Sequence, residues 1–514
     1  MAAEQEQLDR DAYRAIAEHA PVGTRIPLEV RVTVPDPFQA YLNARSLGPG
    51  VFLETTGGQE GWGYFGVDPT ELLTVNEEAY SRRDGESPSL AAVAGLLSDE
   101  SLTRGECEVP FPCGLFGWIS YDVARELEDL PEETRNERRL PQVQFGLFDR
   151  VVAWKEPRSE DMVEVYITAC PRLTKDPNES FEVGRERITS LLTAMESQST
   201  IPDPGTTTNR VTFTSDCGEE QYAQRVRTIK QHIRDGDTFQ VNISHRLRAP
   251  AAVSSPAVFS ALRRGNPAPY SGLVEFPGID LISASPELLL SIDSNRLLTE
   301  PIAGTRPRGA TAEADEALAA ELLDDEKERA EHALLVDLER NDLGKVSAYG
   351  SVDVTEYRRI DRYSEVMHLV SLVEGTLRND VSLRGVCQAD PLTPAEPTNE
   401  DRLCAAIAAV FPGGTITGAP KPRTMEIIDQ LEQTRRGPYT GSMAVIGFDD
   451  RAILNIIIRT IVRWNEEFHL RVGAGIVHDS DPHREYEETM AKARALITAL
   501  DEALASTTQL EVSE

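Results

Sequence analysis

Four carboxylates stand in two matched pairs. Glu328 and Glu331 lie in DEKERAEHALLVDLERNDLG, and Glu485 and Glu488 lie in PHREYEETMAKARALI. Both segments have helical periodicity, and an i,i+3 spacing puts the two carboxylates of a pair on one face. Two such faces opposed to each other would offer a cation nothing but oxygen, a donor set that suits magnesium. In a chain with 85 acidic residues, the same spacing also arises on ordinary solvated helix faces.

Other residues could receive an anion. FPGGTITGAPK, from Phe411 to Lys421, is Gly-rich and can bring backbone N–H groups close to a ligand, but it lacks the GxxxxGK[ST] spacing of a nucleotide loop. VGAG, from Val472 to Gly475, follows an apparent strand and could do the same; ordinary turns use the same residues. Arg459 reads as a cation inside the apolar strand AILNIIIRTIV. Such a charge is costly unless paired, so it either makes a buried ion pair or holds an anionic ligand. Lys492 follows Glu488 by one helical turn and is either its ion-pair partner or a carboxylate anchor. His368, in YSEVMHLVSLVEG, has apolar neighbours and by itself reads as a core histidine.

These residues need elements to position them. CGLFGWISYD (113–122) and QVQFGLFDRVVAW (142–154) read as strands and turns within a region spanning residues 1–200. SQSTIPDPGTTTN (197–209) lacks apolar periodicity and reads as a linker to a second region, 210–505. There, Glu219 to Arg234 has helical periodicity. TFQVNISHRL (238–247) alternates, with Phe239, Val241 and Ile243 on one side and Gln240, Asn242 and Ser244 on the other. The Pro-rich stretch 379–401 reads as an exposed insertion. A chain of 514 residues should form two or three units or one large two-layer body.

Composition narrows the partners. The net charge is −33, and seven of the 52 basic residues are Lys. A dense carboxylate surface argues against nucleic acid and anionic membrane. With 40% hydrophobic residues, the charge reads as adaptation to high salt in a folded protein, not as disorder. No apolar run is long enough to span a bilayer. The acidic N-terminus lacks the pattern of a signal peptide, so a cytoplasmic location is expected. Cys107, Cys113, Cys170, Cys217, Cys387 and Cys404 form no CxxC pair, and reduced thiols are expected.

Five segments taken in order carry a family pattern: GDTFQVNISHRL, SPELLLSIDSNRLLTEPIAGTRPRG, DEKERAEHALLVDLERNDLG, FPGGTITGAPKPRTMEIIDQLE and VGAGIVHDSDPHREYEETMAKA. The series resembles the chorismate-binding enzymes: anthranilate synthase component I, aminodeoxychorismate synthase component I, isochorismate synthase and salicylate synthase. The resemblance implies an α/β fold of the α+β type, two antiparallel-rich β-sheets packed face to face with helices outside. It places Glu328, Glu331, Glu485 and Glu488 around Mg2+, which holds the ring carboxylate of chorismate. Tyr439, Arg459 and Gly475 would share that carboxylate, while Gly473 and Lys492, with Ala474 between the two glycines, would take the enolpyruvyl carboxylate. Ala303, Gly304 and Thr305 of PIAGT, with Thr415 and His368, would lie beside the reacting ring. Glu287 would be the acid–base carboxylate.

The resemblance also bears on the nucleophile. Water-using members carry Lys where this chain has Gln240, and Gln cannot deprotonate water. Ammonia is therefore expected, supplied from glutamine by an amidotransferase partner, since the chain has no glutaminase cysteine motif of its own. The product is harder to assign. Ala303 resembles anthranilate synthases; many aminodeoxychorismate synthases have Lys there. FPGGTITGAPK looks more like the aminodeoxychorismate enzymes. NPAPYSG (266–272) and FLETTGG (52–58) depart from the anthranilate-type NPSPYM and from the LLES element of the tryptophan feedback site. The sequence expectation is the large subunit of an aminodeoxychorismate synthase, with anthranilate synthase component I as the alternative.

The charge makes a prediction of its own. Salt shortens the reach of carboxylate repulsion to about 3 Å at 1 M, against about 10 Å at 0.1 M. Dilution from molar salt to low ionic strength should therefore inactivate the protein in step with loss of far-ultraviolet circular dichroism. Full stability at low ionic strength would overturn the high-salt reading.

Overall fold

A computed structural model of the chain describes residues 9–77, 87–158, 162–197, 210–363, 366–388 and 397–512. Its strands form one sheet of 12 and one of 10, and every pair of named strands is antiparallel. Strands from the earlier and later parts of the chain share both sheets. Gly50–Glu54 pairs with Tyr270–Phe276 in the first, and Gly114–Ile119 pairs with Ser442–Ile446 in the second.

The pattern of GLFGWI shows why the sheets stack. Phe116 and Trp118 point to one face and join Tyr64, Val274, Leu281 and Val462 of the first sheet in a core between the layers. Leu115 and Ile119 point the other way, into a core with the helices outside the second sheet. A strand buried on both faces must be apolar on both. Gly117 has a separate cause: a Cβ there would lie 2.0 Å from the Gln144 carbonyl oxygen of the neighbouring strand. On the outer face of the first sheet, Phe38, Phe259, Leu496 and Leu500 pack from three helices. The expected architecture of two antiparallel sheets with outer helices is what the chain forms.

Three local expectations change. Arg459 is not inside a strand. The strand Arg451–Asn455 belongs to the second sheet and Thr460–Trp464 to the first, and Arg459 sits at the crossover with φ +48°. Phe239 is 66% exposed, because the strand and its alternation begin one residue later, at Gln240. The stretch 379–401 is not all insertion: Leu383–Gln388 and Asn399–Val410 are helices. Thr398 caps the second of these, and Leu383 and Leu403 reach the core of the second sheet. The remainder of that stretch, and the 197–209 linker beyond its first residue, lie outside the described residues. Among the described residues no helix is long and apolar enough to cross a membrane.

One buried ion cluster ties the elements near the site together. The Glu432 carboxylate accepts from Arg436 at 2.8 Å, from Arg471 at 3.0 Å, and from the Ser244 backbone N–H at 2.9 Å. Burial alone would raise its pKa, but the two guanidinium groups outweigh that and hold it at about 2. A carboxylate depressed in this way contributes stability above its ordinary range, and the contribution is lost as pH falls from about 4.5 towards about 2. Glu432→Ala should cost about 3–5 kcal/mol, since it strands two buried cations. Urea melts at pH 7 should show that loss, and the difference from wild type should shrink on acidification. A change below about 1 kcal/mol would mean that the cluster does not hold the fold.

Candidate active site

Helix starts fix the carboxylates. Asp325 Oδ1 accepts from the backbone N–H groups of Lys327 and Glu328 at 2.9 and 3.1 Å, which caps the helix Glu326–Gly344. Asp481 Oδ1 likewise accepts from His483 and Arg484 at 3.1 and 3.0 Å, at the start of the helix Pro482–Val512. Glu328 and Glu485 thus fall in first turns. The two faces feel each other. Burial raises Glu331 above the usual carboxylate range, and repulsion from Glu328 and Glu485 adds to it, while Lys327 opposes. Glu485 is raised by burial and by Glu488.

Chemically this set fits a hard cation. Its donors are all carboxylate oxygens, and a divalent ion would relieve their mutual repulsion. Lys327 now supplies part of that relief, with its ammonium 3.6 Å from Glu331 Oε1. Among the described residues no three His, Cys, Asp or Glu side chains stand close enough to hold a metal ion. Binding one would require the carboxylates to draw together.

The strand Ile302–Pro307 carries Ala303, Gly304 and Thr305 past this cluster. Gly304 has φ +82°, and a Cβ on it would lie 3.0 Å from Glu328 Oε2. Only glycine tolerates both the backbone and the contact. Thr305 Oγ1 is 2.9 Å from His368 Nδ1, and the Tyr363 ring meets the imidazole edge-on at 5.4 Å. Burial pushes His368 down to about 4, with Arg459 adding to the effect. His368 is therefore a neutral ring at pH 7.

Glu287 is 6% exposed and follows the strand Ile279–Ser285. Its carbonyl accepts from Ile456 N–H at 3.0 Å, and Thr415 Oγ1 donates to its Oε1. Burial pushes this carboxyl up to about 7; Thr415, Arg459 and Lys492 pull against the shift. Arg459 is half-buried, and no carboxylate among the described residues forms an ion pair with it. Burial lowers its pKa, and Glu287 and Tyr363 oppose. It is a cation facing the space beside Glu287.

Thr415 is held by a loop that needs its glycines. A Cβ on Gly414 would meet Leu338 at 2.5 Å, and one on Gly418 would meet the Gln240 carbonyl oxygen at 2.0 Å. Across the site, Asn242 pairs with Gly475, Ile243 with Ala474 and Ser244 with Gly473. A Cβ on Gly473 would come within 2.9 Å of Tyr439 Oη, and one on Gly475 within 2.7 Å of Gln240 Nε2. Lys492 makes the ion pair with Glu488, at 2.8 Å, and also donates to the Gly473 carbonyl oxygen at 3.1 Å.

These contacts link every residue expected at the site. They run from the carboxylates through Gly304 to Thr305 and His368, on to Arg459 and Glu287 with Thr415, and through Lys492 to Gly473 and Tyr439. Sequence reasoning missed Tyr363, Lys327 and Glu339. Tyr363 and Lys327 lack a distinguishing pattern. Glu339 stands about three turns past Glu328 on the same helix, and that spacing could have pointed to it. A separate cavity of about 390 Å³ opens between the sheets. Leu53, Tyr64, Tyr270 and Met443 line it, and it reaches the site only at Pro286, Asp361 and Tyr363.

Fold and side chains together define an enzyme of the two-sheet class, with a buried acid, two cations and an acidic rim around one space. The family model for chorismate binding enzymes matches residues 50–498, and the chain belongs to that family. It is 60% identical over 498 residues to anthranilate synthase component 1 3 of Haloarcula marismortui, covering 96% of this chain and 95% of the relative. It is 37% identical over 493 residues to aminodeoxychorismate synthase component 1 of Bacillus subtilis, covering 95% and 98%. The crystal structure of anthranilate synthase component I from Streptococcus pneumoniae superposes with a TM-score of 0.69 at 27% identity, covering 85% of this chain and 92% of that one.

The Glu287 shift sets a pH dependence. A carboxyl raised from 4.5 to about 7 can donate a proton below that pH and loses the ability as pH rises through it. kcat should fall across this limb, and Glu287→Gln should lower it about 10²–10⁴-fold and erase the limb. Stability carries the same sign: the contribution of the protonated form is lost as pH rises through about 7. Melts should then show the Gln variant gaining on wild type above that pH. A limb that survives in the variant would assign it to another group.

Proposed function

We propose that the chain is the chorismate-converting component of an anthranilate synthase. It takes ammonia from a glutamine amidotransferase partner, aminates ring carbon 2 of chorismate and releases pyruvate as anthranilate forms. The observation that carries this reading is the 60% identity to an anthranilate synthase component over nearly the whole chain, against 37% to an aminodeoxychorismate synthase component. Ala303 agrees with it, since the position beside the ring holds no nucleophilic amine. The preference reverses the sequence expectation of aminodeoxychorismate. The motif departures that suggested that product concern a few loop residues, whereas the identity extends through both sheets.

The geometry supports a division of labour. Chorismate is a dianion, and Arg459 and Lys492 are the cations beside Glu287, suited to its ring and enolpyruvyl carboxylates. Glu287, protonated near neutrality, donates its proton to the leaving ring hydroxyl, and Thr415 orients it. His368, as a neutral ring held by Thr305, flanks the substrate without adding charge. Held by Glu328, Glu331, Glu485 and Glu488, Mg2+ would polarise the ring carboxylate. Gln240, lying against Gly475, supplies no base, as attack by neutral ammonia requires none.

Incubation with chorismate, Mg2+ and an ammonium salt at high ionic strength tests this. Equimolar pyruvate and anthranilate fluorescence are expected. A product that yields p-aminobenzoate only with an added lyase would restore the aminodeoxychorismate reading. Ala303→Lys should suppress anthranilate at least about tenfold, because a tethered amine would occupy carbon 2. Unchanged anthranilate output from that variant would place Ala303 away from the ring.

A further inference from the structure

We propose that Glu339 is a second carboxyl of the acid–base site, held as the neutral acid near Glu287, so that the two never carry more than one negative charge between them at neutral pH. Its catalytic significance rests on the function proposed above; the pairing itself does not.

Glu339 lies on the helix Glu326–Gly344. Its Oε2 is buried and has no hydrogen-bond partner, and the buried Thr299 Oγ1 is likewise unpartnered. The nearby cation is committed elsewhere: Lys421 is ion-paired with Asp342 and donates to the Val410 carbonyl oxygen at 2.8 Å. Asp342 also takes Lys345, at 2.9 Å. A buried carboxylate oxygen with neither donor nor cation is far costlier as an anion than as an acid. The groups facing it are Thr299 from the strand Arg296–Thr299, Glu287 from beyond the strand Ile279–Ser285, Asp342 from its own helix and Lys421 from the helix Lys421–Leu431. Burial pushes Glu339 up to about 8, Glu287 and Asp342 add to the shift, and Thr299 and Lys421 oppose it.

The consequence follows the proton. When Glu287 donates, its O–H bond breaks and the proton passes to the departing hydroxyl. The carboxylate left behind then holds the Glu339 proton in place by repulsion between like charges. The pair goes from neutral to one negative charge and stops there. Two charges beside a dianionic substrate would oppose both its binding and the proton's departure. Glu339 acts through Glu287 and is a positioning residue.

Infrared pH titration of the resting protein, read at the protonated-carboxyl stretch as differences between wild type and variants, tests the pair without substrate. Glu339→Gln should remove a step near pH 8 and keep one near pH 7. Glu287→Gln should remove the lower step and move the Glu339 midpoint down by about half a unit or more, because the neighbouring charge is gone. Persistence of the upper step in Glu339→Gln, or an unmoved Glu339 midpoint in Glu287→Gln, would overturn the proposal. A wild type that titrates as expected but does not aminate chorismate would sink the proposed function and leave the pair standing.

Discussion

The Glu432 carboxylate, closed between Arg436 and Arg471, is the contact on which the site's geometry depends. Arg471 lies on the strand that ends in Gly473–Gly475, and Ser244, which also binds Glu432, lies on the strand paired with it. Arg436 reaches further, donating to the carbonyl oxygens of Ile416 at 3.0 Å and Asn242 at 2.8 Å. Ile416 follows Thr415, the residue that holds Glu287. A single buried anion therefore sets the distance between the Gly-rich strand and the acid-bearing loop. Its strength comes from satisfaction: two guanidinium groups, a backbone N–H and a hydroxyl leave few lone pairs unused.

Around that frame the site runs against the character of the chain. The surface is heavily acidic, whereas the interior space is lined by acids that burial keeps protonated near neutrality and by cations without carboxylate partners. Glu287 is raised by loss of water, and Arg459 is left unpaired. An unpaired half-buried guanidinium costs folding free energy, and an anionic ligand would recover it. The same opposition explains the helix starts. Asp325 and Asp481 satisfy their backbone N–H groups, which leaves Glu328 and Glu485 free to face each other across the two helices.

Much of this was legible in the sequence, for physical reasons that differ by residue. The two-sided burial of GLFGWI and the alternation from Gln240 onward predicted strands, because period-two patterns have few other solutions. The glycines of FPGGTITGAPK and VGAG marked close approach, and the structure supplies the neighbours that forbid a Cβ. Arg459 was placed wrongly because an apolar run reads the same through a crossover as through a strand; only the left-handed φ at one residue divides them. The end of the Pro-rich stretch was read as loop because a Thr cap and a few core leucines were outweighed by composition. Glu339 escaped notice because carboxylates are common on this chain. What sets it apart is the absence of a partner, which no sequence pattern displays.

Gln240 shows how the fold and the proposed chemistry constrain each other. Its backbone carbonyl approaches Gly418 so closely that no side chain fits there, and its amide nitrogen lies against Gly475. Its side-chain Oε1 is buried without a hydrogen-bond donor. Under the proposed function that acceptor is in a useful place. Neutral ammonia has N–H groups to donate, and a buried amide oxygen beside the ring would receive one without removing a proton. A lysine at this position would bring a charge to the same small space between two glycine-bearing segments, and would have to be neutral to act as a base there. The residue that excludes water as nucleophile is thus also the one whose backbone requires glycine in the loop that carries Thr415. A change of nucleophile at this position would have to be made without moving that backbone.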